Sequence, residues 1–295
     1  MGRSTDQLLR TKGARMITLI APWRRSEKIL ASLALLLVLL AIVGPFIAPQ
    51  STDLVDLSLR LQPPSLQHWM GTDHLGRDIF SRIIAGSRIS LGAVAVCLAL
   101  IVLIALIIGG LAGLAGGKID RILMRITEIF MTFPTLILSL FMIGILGTGL
   151  TNVIIAITLS HWAWYARIVR SIVLSLKQSD FILAAKQCGA NRWDLFREHF
   201  LAPIAAQLLV LATLDIGHMI LHIAGLSFLG LGVAAPTPEW GVMLNDAREY
   251  IWIQPMLMIW PGLALFLSVA VFNLVGDAVR DRIDPRFTLA IESIR

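Results

Sequence analysis

Residues 181–203 read FILAAKQCGANRWDLFREHFLAP, a polar stretch set between long apolar runs. Lys186, Arg192, Asp194, Arg197 and Glu198 cannot be carried through lipid without a large cost. The segment therefore lies outside the hydrocarbon, with a membrane span on each side of it, and has the character of a docking element.

Composition agrees with that reading. Hydrophobic residues make up 57% of the 295-residue chain and charged residues only 15%, and the mean hydropathy is +0.79, far from the balance of a soluble domain. Runs free of Asp, Glu, Lys and Arg cover 29–52, 89–117, 129–166, 200–214, 216–238 and 250–276. A helix rising about 1.5 Å per residue needs roughly 20 residues to cross roughly 30 Å of hydrocarbon. The third run is too long for one span, and Gly144, Gly147, Gly149 and Asn152 offer a turn inside it. The fourth and fifth runs, parted only by Asp215, read as one tilted span with a buried acid. The expectation is an all-α membrane protein with six transmembrane helices at 29–48, 89–115, 122–146, 152–174, 203–232 and 256–279.

Lys and Arg orient these spans, because cytoplasmic loops carry the excess. With the N-terminus inside, the inner segments 1–28, 116–125, 166–200 and 280–295 hold 7, 3, 6 and 4, or 20 of the 25 basic residues. The outer segments hold Arg60, Arg77, Arg82, Arg88 and Arg248. A cytoplasmic basic N-terminus (1–28) is thus expected before the first span, then an extracytoplasmic loop (49–88), a five-helix core (89–279) and a cytoplasmic tail (280–295). The net charge of +6 belongs to membrane interfaces and anionic lipid, with no call for nucleic acid. The first apolar run has a basic stretch before it but is longer than a signal-peptide core, and is read as a retained span. Cys97 falls in a span and Cys188 in the cytoplasmic segment, so the two are not expected to form a disulfide. Trp23, Trp69, Trp240 and Trp252 sit near span ends, as interfacial aromatics do.

In the docking segment, Ser179 and Asp180 suit a helix N-terminus. Ala184, Ala185 and Cys188 then share a narrow face, Gly189 ends the helix, and 193–200 supply a second short helix before Pro203. An amphipathic helix resting on lipid would show the same pattern. Ala184-Ala185, Gly189 four residues on and the Phe196-to-Pro203 region resemble the coupling-helix motif of ABC-importer permeases. Leu183 stands where the family motif has Glu, and Ala202 is an extra residue before Pro203. The resemblance implies that 180–199 dock an ATP-hydrolysing partner, with Asp180, Ala184, Ala185, Gly189, Ala190, Phe196 and His199 as ATPase-coupling residues.

A second segment narrows the resemblance. Gly71-Thr72-Asp73, Gly76-Arg77-Asp78, Ser81-Arg82, Gly86 and 88–91, together with the run 227–232, resemble the C-type permeases of the dipeptide, oligopeptide and nickel importers, over about 59–285. The stretches 68–76, 160–167 and 214–219 resemble the nickel branch of that family more than the peptide branches. The implied fold is a type I importer permease. The implied partners are a second permease, two ATP-binding subunits that bind ATP and Mg, and an extracytoplasmic nickel-binding protein. Nickel or a nickel chelate is the implied substrate, and no cofactor is expected on this chain.

Asp215, His218 and His222 are spaced i, i+3 and i+7, on one helix face. Ionisable groups inside a span usually face a bundle interior or a watery path, imidazole suits Ni²⁺, and a carboxylate offsets cation charge. Equally, each His could satisfy a helix carbonyl and Asp215 a basic or hydroxyl partner. The candidate substrate path is Asp215, His218, His222 and His161, with His218 and His222 as transient metal contacts, since a closed shell of strong ligands would not release its cargo. His68 and His74 lie outside, where they could meet substrate or a delivery protein.

Two enzyme readings fail on their residues. His218 to His222 has the spacing of a zinc-protease helix but Met219 where the general base Glu is required, and Gly116-Gly117-Lys118 lacks the earlier Gly and following Ser or Thr of a phosphate loop. The chain is expected to be no enzyme. A dipeptide permease, and an ion-driven transporter or channel using Asp215 and the histidines as a proton relay, remain as alternatives.

Overall fold

The structure, a computed structural model, describes residues 24–234 and 236–283. Among them lie ten α-helices and short 3₁₀ and π turns, with no strand beyond one isolated bridge between Thr72 and Asp78. The helices are α1 (Arg25–Ile47), α2 (Ile79–Ala115), α3 (Gly117–Thr132), α4 (Thr135–Leu146), α5 (Leu150–Lys177), α6 (Asp180–Gln187), α7 (Arg192–Leu195), α8 (Leu201–Phe228), α9 (Trp240–Ala247) and α10 (Met256–Ile283). Most of the expected basic N-terminus and C-terminal tail fall outside the described residues.

Among the described residues, four helices are long and apolar enough to cross a membrane: α1, α2, the rod 193–228 that contains α8, and α10. The expected span 122–146 is instead broken. α3 and α4 meet at an angle of 93°, because Pro134 has no N–H to donate and forces Phe133 out of the helical region, to φ −97° and ψ 138°. If the bent pair counts as one span, the number rises to five. α5 has 28 residues, about 42 Å of helix, but His161, Arg167, Arg170 and Asn152 lower its apolarity. Residues 79–88, expected in the loop, form the first turns of α2. Asp78 caps that helix by accepting from the Ser81 N–H at 2.8 Å.

Small residues let these helices approach closely. Ala105, Gly109 and Gly113 recur every fourth residue along α2, against α5, the small-xxx-small pattern of membrane helix pairs. A Cβ on Gly109 would lie 2.3 Å from the Ala166 carbonyl oxygen, and one on Gly113 would lie 2.6 Å from Val173 Cβ. Gly217 of α8 meets Asn273 of α10 in the same manner. Gly44 seats α1 on α2, where a Cβ would stand 2.7 Å from the Ile84 carbonyl oxygen. Arg282 of α10 pairs with Glu27 of α1 at 2.5 Å, so those two helix ends lie at the same level.

The segment 49–78 folds over the start of α2 around buried charges. Asp73 Oδ1 accepts from the Leu75 and Arg77 N–H groups at 2.9 Å, and its Oδ2 pairs with Arg77 Nε at 2.6 Å. Arg77 and Arg82 are each only 1% exposed. Arg77 also reaches Asp246 at 3.4 Å, and Arg82 donates to the Thr52 and Pro236 carbonyls. α9 is fixed beneath this layer. Glu239, fully buried, accepts from Ser90 Oγ and the Val242 N–H, while the Trp240 indole donates to the Ile83 carbonyl at 3.0 Å. Trp240, expected at an interface, is therefore a core residue, whereas Trp69 and Trp252 are exposed.

Candidate functional site

The charged group within the bundle is built by α5 and α8. Asp215 Oδ2 accepts from the Tyr165 hydroxyl at 3.0 Å and stands 2.8 Å from His161 Nε2. A carboxylate only accepts, so that ring nitrogen carries a proton. Asp215 Oδ1 lies 3.5 Å from His218 Nδ1, beyond good hydrogen-bond length but within electrostatic reach. The His222 ring is 6.5 Å from that of His161 and nearly perpendicular to it, and its Nδ1 is buried without a hydrogen-bond partner. The four residues singled out from sequence are thus brought together. His161, the lesser candidate from sequence, is the nearest ring to the acid.

Sequence reasoning missed Tyr165, although its place one turn after His161 on the same face was the available signal. This tyrosine supplies Asp215 with a hydroxyl partner, as a purely structural role for the acid requires. Chemically, the cluster offers one carboxylate and several imidazole lone pairs. Among the described residues no group of three or more His, Cys, Asp and Glu is placed to hold a metal ion. The His218 side chain is 71% exposed, and an ionisable group at mid-helix facing hydrocarbon is costly, so that face fits a watery path or another protein surface.

Residues 180–200 form a separate exposed platform. The Ser179 hydroxyl donates back to the Leu176 carbonyl at 2.6 Å and gives α6 no side-chain cap. Ile182 is buried, Ala185 and Ala190 are half-buried, and Asp180, Ala184 and Cys188 are exposed. Gly189 ends α6 at φ +89°, a conformation that suits glycine. Asn191 Oδ1 then caps α7, accepting from the Trp193 and Asp194 N–H groups at 2.9 Å. The Phe181 and His199 rings meet edge-on at 5.9 Å, and Phe196 packs over Gly110. A cavity of about 470 Å³ lies beneath, lined by Leu114, Lys177, Lys186, Ala190, Leu195 and Phe200. Lys177 Nζ donates to the Gly113 and Leu114 carbonyls, where a cation also suits the C-terminal end of α2.

From α7 the chain enters α8 without a gap. Residues 196–200 make a π turn, with the Leu201 N–H bonded to the Phe196 carbonyl. Pro203 has no N–H for the His199 carbonyl, which accounts for a widened turn at this point. The expected opening of a span at Pro203 is thus a proline inside a continuous helix.

His68 and His74 lie in the 49–78 segment. His68 Nδ1 is 3.0 Å from Asp78 Oδ1, and His74 stacks on Tyr250 at 5.4 Å. Both have structural partners.

Long apolar helices packed around a buried acid, with an exposed polar platform between them, are the build of an integral membrane protein. Residues 105–289 match the family model for the binding-protein-dependent transport system inner membrane component, and the chain belongs to that family. It is 60% identical over 262 residues to the nickel transport system permease protein NikC of Escherichia coli K12, covering 89% of this chain and 95% of that protein. It is 40% identical to the probable D,D-dipeptide transport system permease protein DdpC of the same organism, over 87% of this chain and 86% of that one. It is 41% identical to the glutathione transport system permease protein GsiD of Pectobacterium atrosepticum, over 85% and 84%. Among solved structures, a chain of the inward-facing MetNI methionine ABC transporter superposes with a TM-score of 0.55 at 22% identity, over 69% of this chain and 97% of that one. That likeness establishes the fold as the one shared by such permeases.

Proposed function

We propose that this chain is the transmembrane permease subunit of an ATP-driven nickel importer, carried above all by its 60% identity to a nickel permease along 89% of its length. It crosses the inner membrane six times, with α5 and the bent pair α3–α4 as spans, and both termini are cytoplasmic. Support for α5 comes from its tight seam against α2 at Gly109 and Gly113, which ties it to a helix long and apolar enough to cross. Support for the orientation comes from the excess of Lys and Arg on one side and from the Arg282–Glu27 pair that joins the ends of α10 and α1.

A second permease completes the pathway, two partner subunits bind ATP and Mg, and an extracytoplasmic binding protein delivers nickel or a nickel chelate. Asp180, Ala184, Ala185, Gly189, Ala190, Phe196 and His199 form the platform that docks one ATPase. Closure of the ATPases on nucleotide favours one arrangement of the spans and hydrolysis restores the other, an alternation driven by differential binding to two conformations. Asp215, His161, His218 and His222 line the path. There Asp215 offsets the cation's charge, and the His218 and His222 rings exchange in turn with its water or chelator ligands.

The test is ATP-dependent accumulation of radioactive nickel by the reconstituted complex, with and without competing dipeptide. Uptake that requires ATP and ignores dipeptide is expected. It should fall about tenfold or more in His218→Ala. Peptide uptake without nickel would assign the complex to the peptide branch, to which 40–41% identity also ties the chain.

A further inference from the structure

Gly44 clamps α1 onto α2 at Ile84, and a gap lies between the two helices beside this crossing. The gap is a groove of about 460 Å³, walled by Val38, Ala41 and Phe46 of α1, by Leu91, Gly92, Ala95 and Leu98 of α2, and at its floor by Ile216 and Phe272. Its walls are apolar except for one residue. Arg88, the last charge before the charge-free stretch 89–115, stands at one end, its guanidinium 6.0 Å from the centre of the Phe46 ring. Among the described residues, the carboxylates Asp73 and Asp246 pair with Arg77 and Arg82 and not with Arg88.

A void of this size between membrane-spanning helices forfeits dispersion contacts along its whole lining if it stays empty, and its walls offer water no partners. An acyl chain satisfies the walls. A phosphate headgroup satisfies the guanidinium, which holds phosphate oxygens in a bidentate fork. We propose that this groove is a binding site for one anionic phospholipid, with an acyl chain between α1 and α2 and its phosphate on Arg88. Apolar length, one cation and position at the edge of the charge-free run fit an amphiphile with a single negative end. An apolar helix from another subunit would meet that cation with nothing to neutralise it.

The test uses the complex of this chain with its partner subunits, reconstituted in nanodiscs of phosphatidylglycerol and phosphatidylethanolamine, transferred to detergent and weighed by native mass spectrometry. Wild type should retain one phospholipid per chain, enriched in phosphatidylglycerol. Gly92→Phe sends a ring into the groove from a Cβ position that meets nothing within 4 Å; retention should fall at least tenfold. Ala95→Phe, from the next turn, should do the same and covers the case in which the first variant misfolds. Arg88→Gln should keep the lipid but lower the preference for phosphatidylglycerol about fivefold, the increment of one basic residue at a membrane surface. Undiminished retention in both filled variants overturns the proposal, as does an unaltered preference in Arg88→Gln. So does efficient crosslinking of Gly92→Cys to the second permease, which would make the groove a subunit seam.

Discussion

Gly109→Ala tests the seam on which the bundle depends. The new Cβ would lie 2.3 Å from the Ala166 carbonyl oxygen and 2.8 Å from Val169 Cβ, whereas real Cβ contacts essentially never fall under 3.0 Å. Backbone cannot rotate aside as a side chain can, so the two helices must separate locally by at least the difference of 3.0 and 2.3, or 0.7 Å. A gap of about 0.5–1 Å forfeits a quarter to a half of each dispersion contact it opens, and overpacking of this kind costs about 1–3 kcal/mol. For a chain of 295 residues, about 2 kcal/mol corresponds to roughly 3 °C in Tm. The assay is thermal unfolding of the purified protein in detergent, followed by tryptophan fluorescence. Gly225→Ala is the control: a Cβ there meets nothing within 4 Å, and alanine is the better helix former by about 1 kcal/mol. The control should match or exceed wild type. If Gly109→Ala melts with it, α2 and α5 are not held at this distance and the account of the seam fails.

Two further outcomes are expected. Asp73→Ala leaves Arg77, 1% exposed, with only the longer contact to Asp246; stranding a buried charge costs about 3–5 kcal/mol, and limited proteolysis of 49–78 should become markedly faster than in wild type. Cys188 is exposed and Cys97 buried, so a maleimide should label one thiol in the isolated chain, and added ATPase subunits should slow that labelling at least tenfold. Equal rates with and without the ATPases would remove residues 180–199 from the docking surface.

The apolar runs were legible because lipid demands them residue by residue, and the polar platform because its charges have nowhere else to lie. The break at Phe133–Pro134 was obscured by the uncharged run 129–166, whose glycines drew attention to a turn further on. The charges at Lys118, Asp120, Arg121, Arg125 and Glu128 were the sign that α3 has a polar face. The start of α2 was hidden because Arg82 and Arg88 argue for a loop until Asp73 is seen to lie 3.7 Å from Arg82. Helical spacing placed Asp215, His218 and His222 on one face of α8. No spacing rule joins Asp215 to His161 and Tyr165, about fifty residues away, since that contact is made by packing alone.

The π turn at Phe196–Phe200 has a mechanical meaning. Trp193 and Asp215 belong to one unbroken rod, and 22 residues of helix set them about 33 Å apart. A strut of this kind carries thrust along its axis with little compression. The widened turn at 196–200 is where this rod departs from α-helical winding. If the platform docks an ATPase as proposed, a displacement at Trp193 would reach Asp215 along that one rod, where His161 and Tyr165 hold the carboxylate from the neighbouring helix.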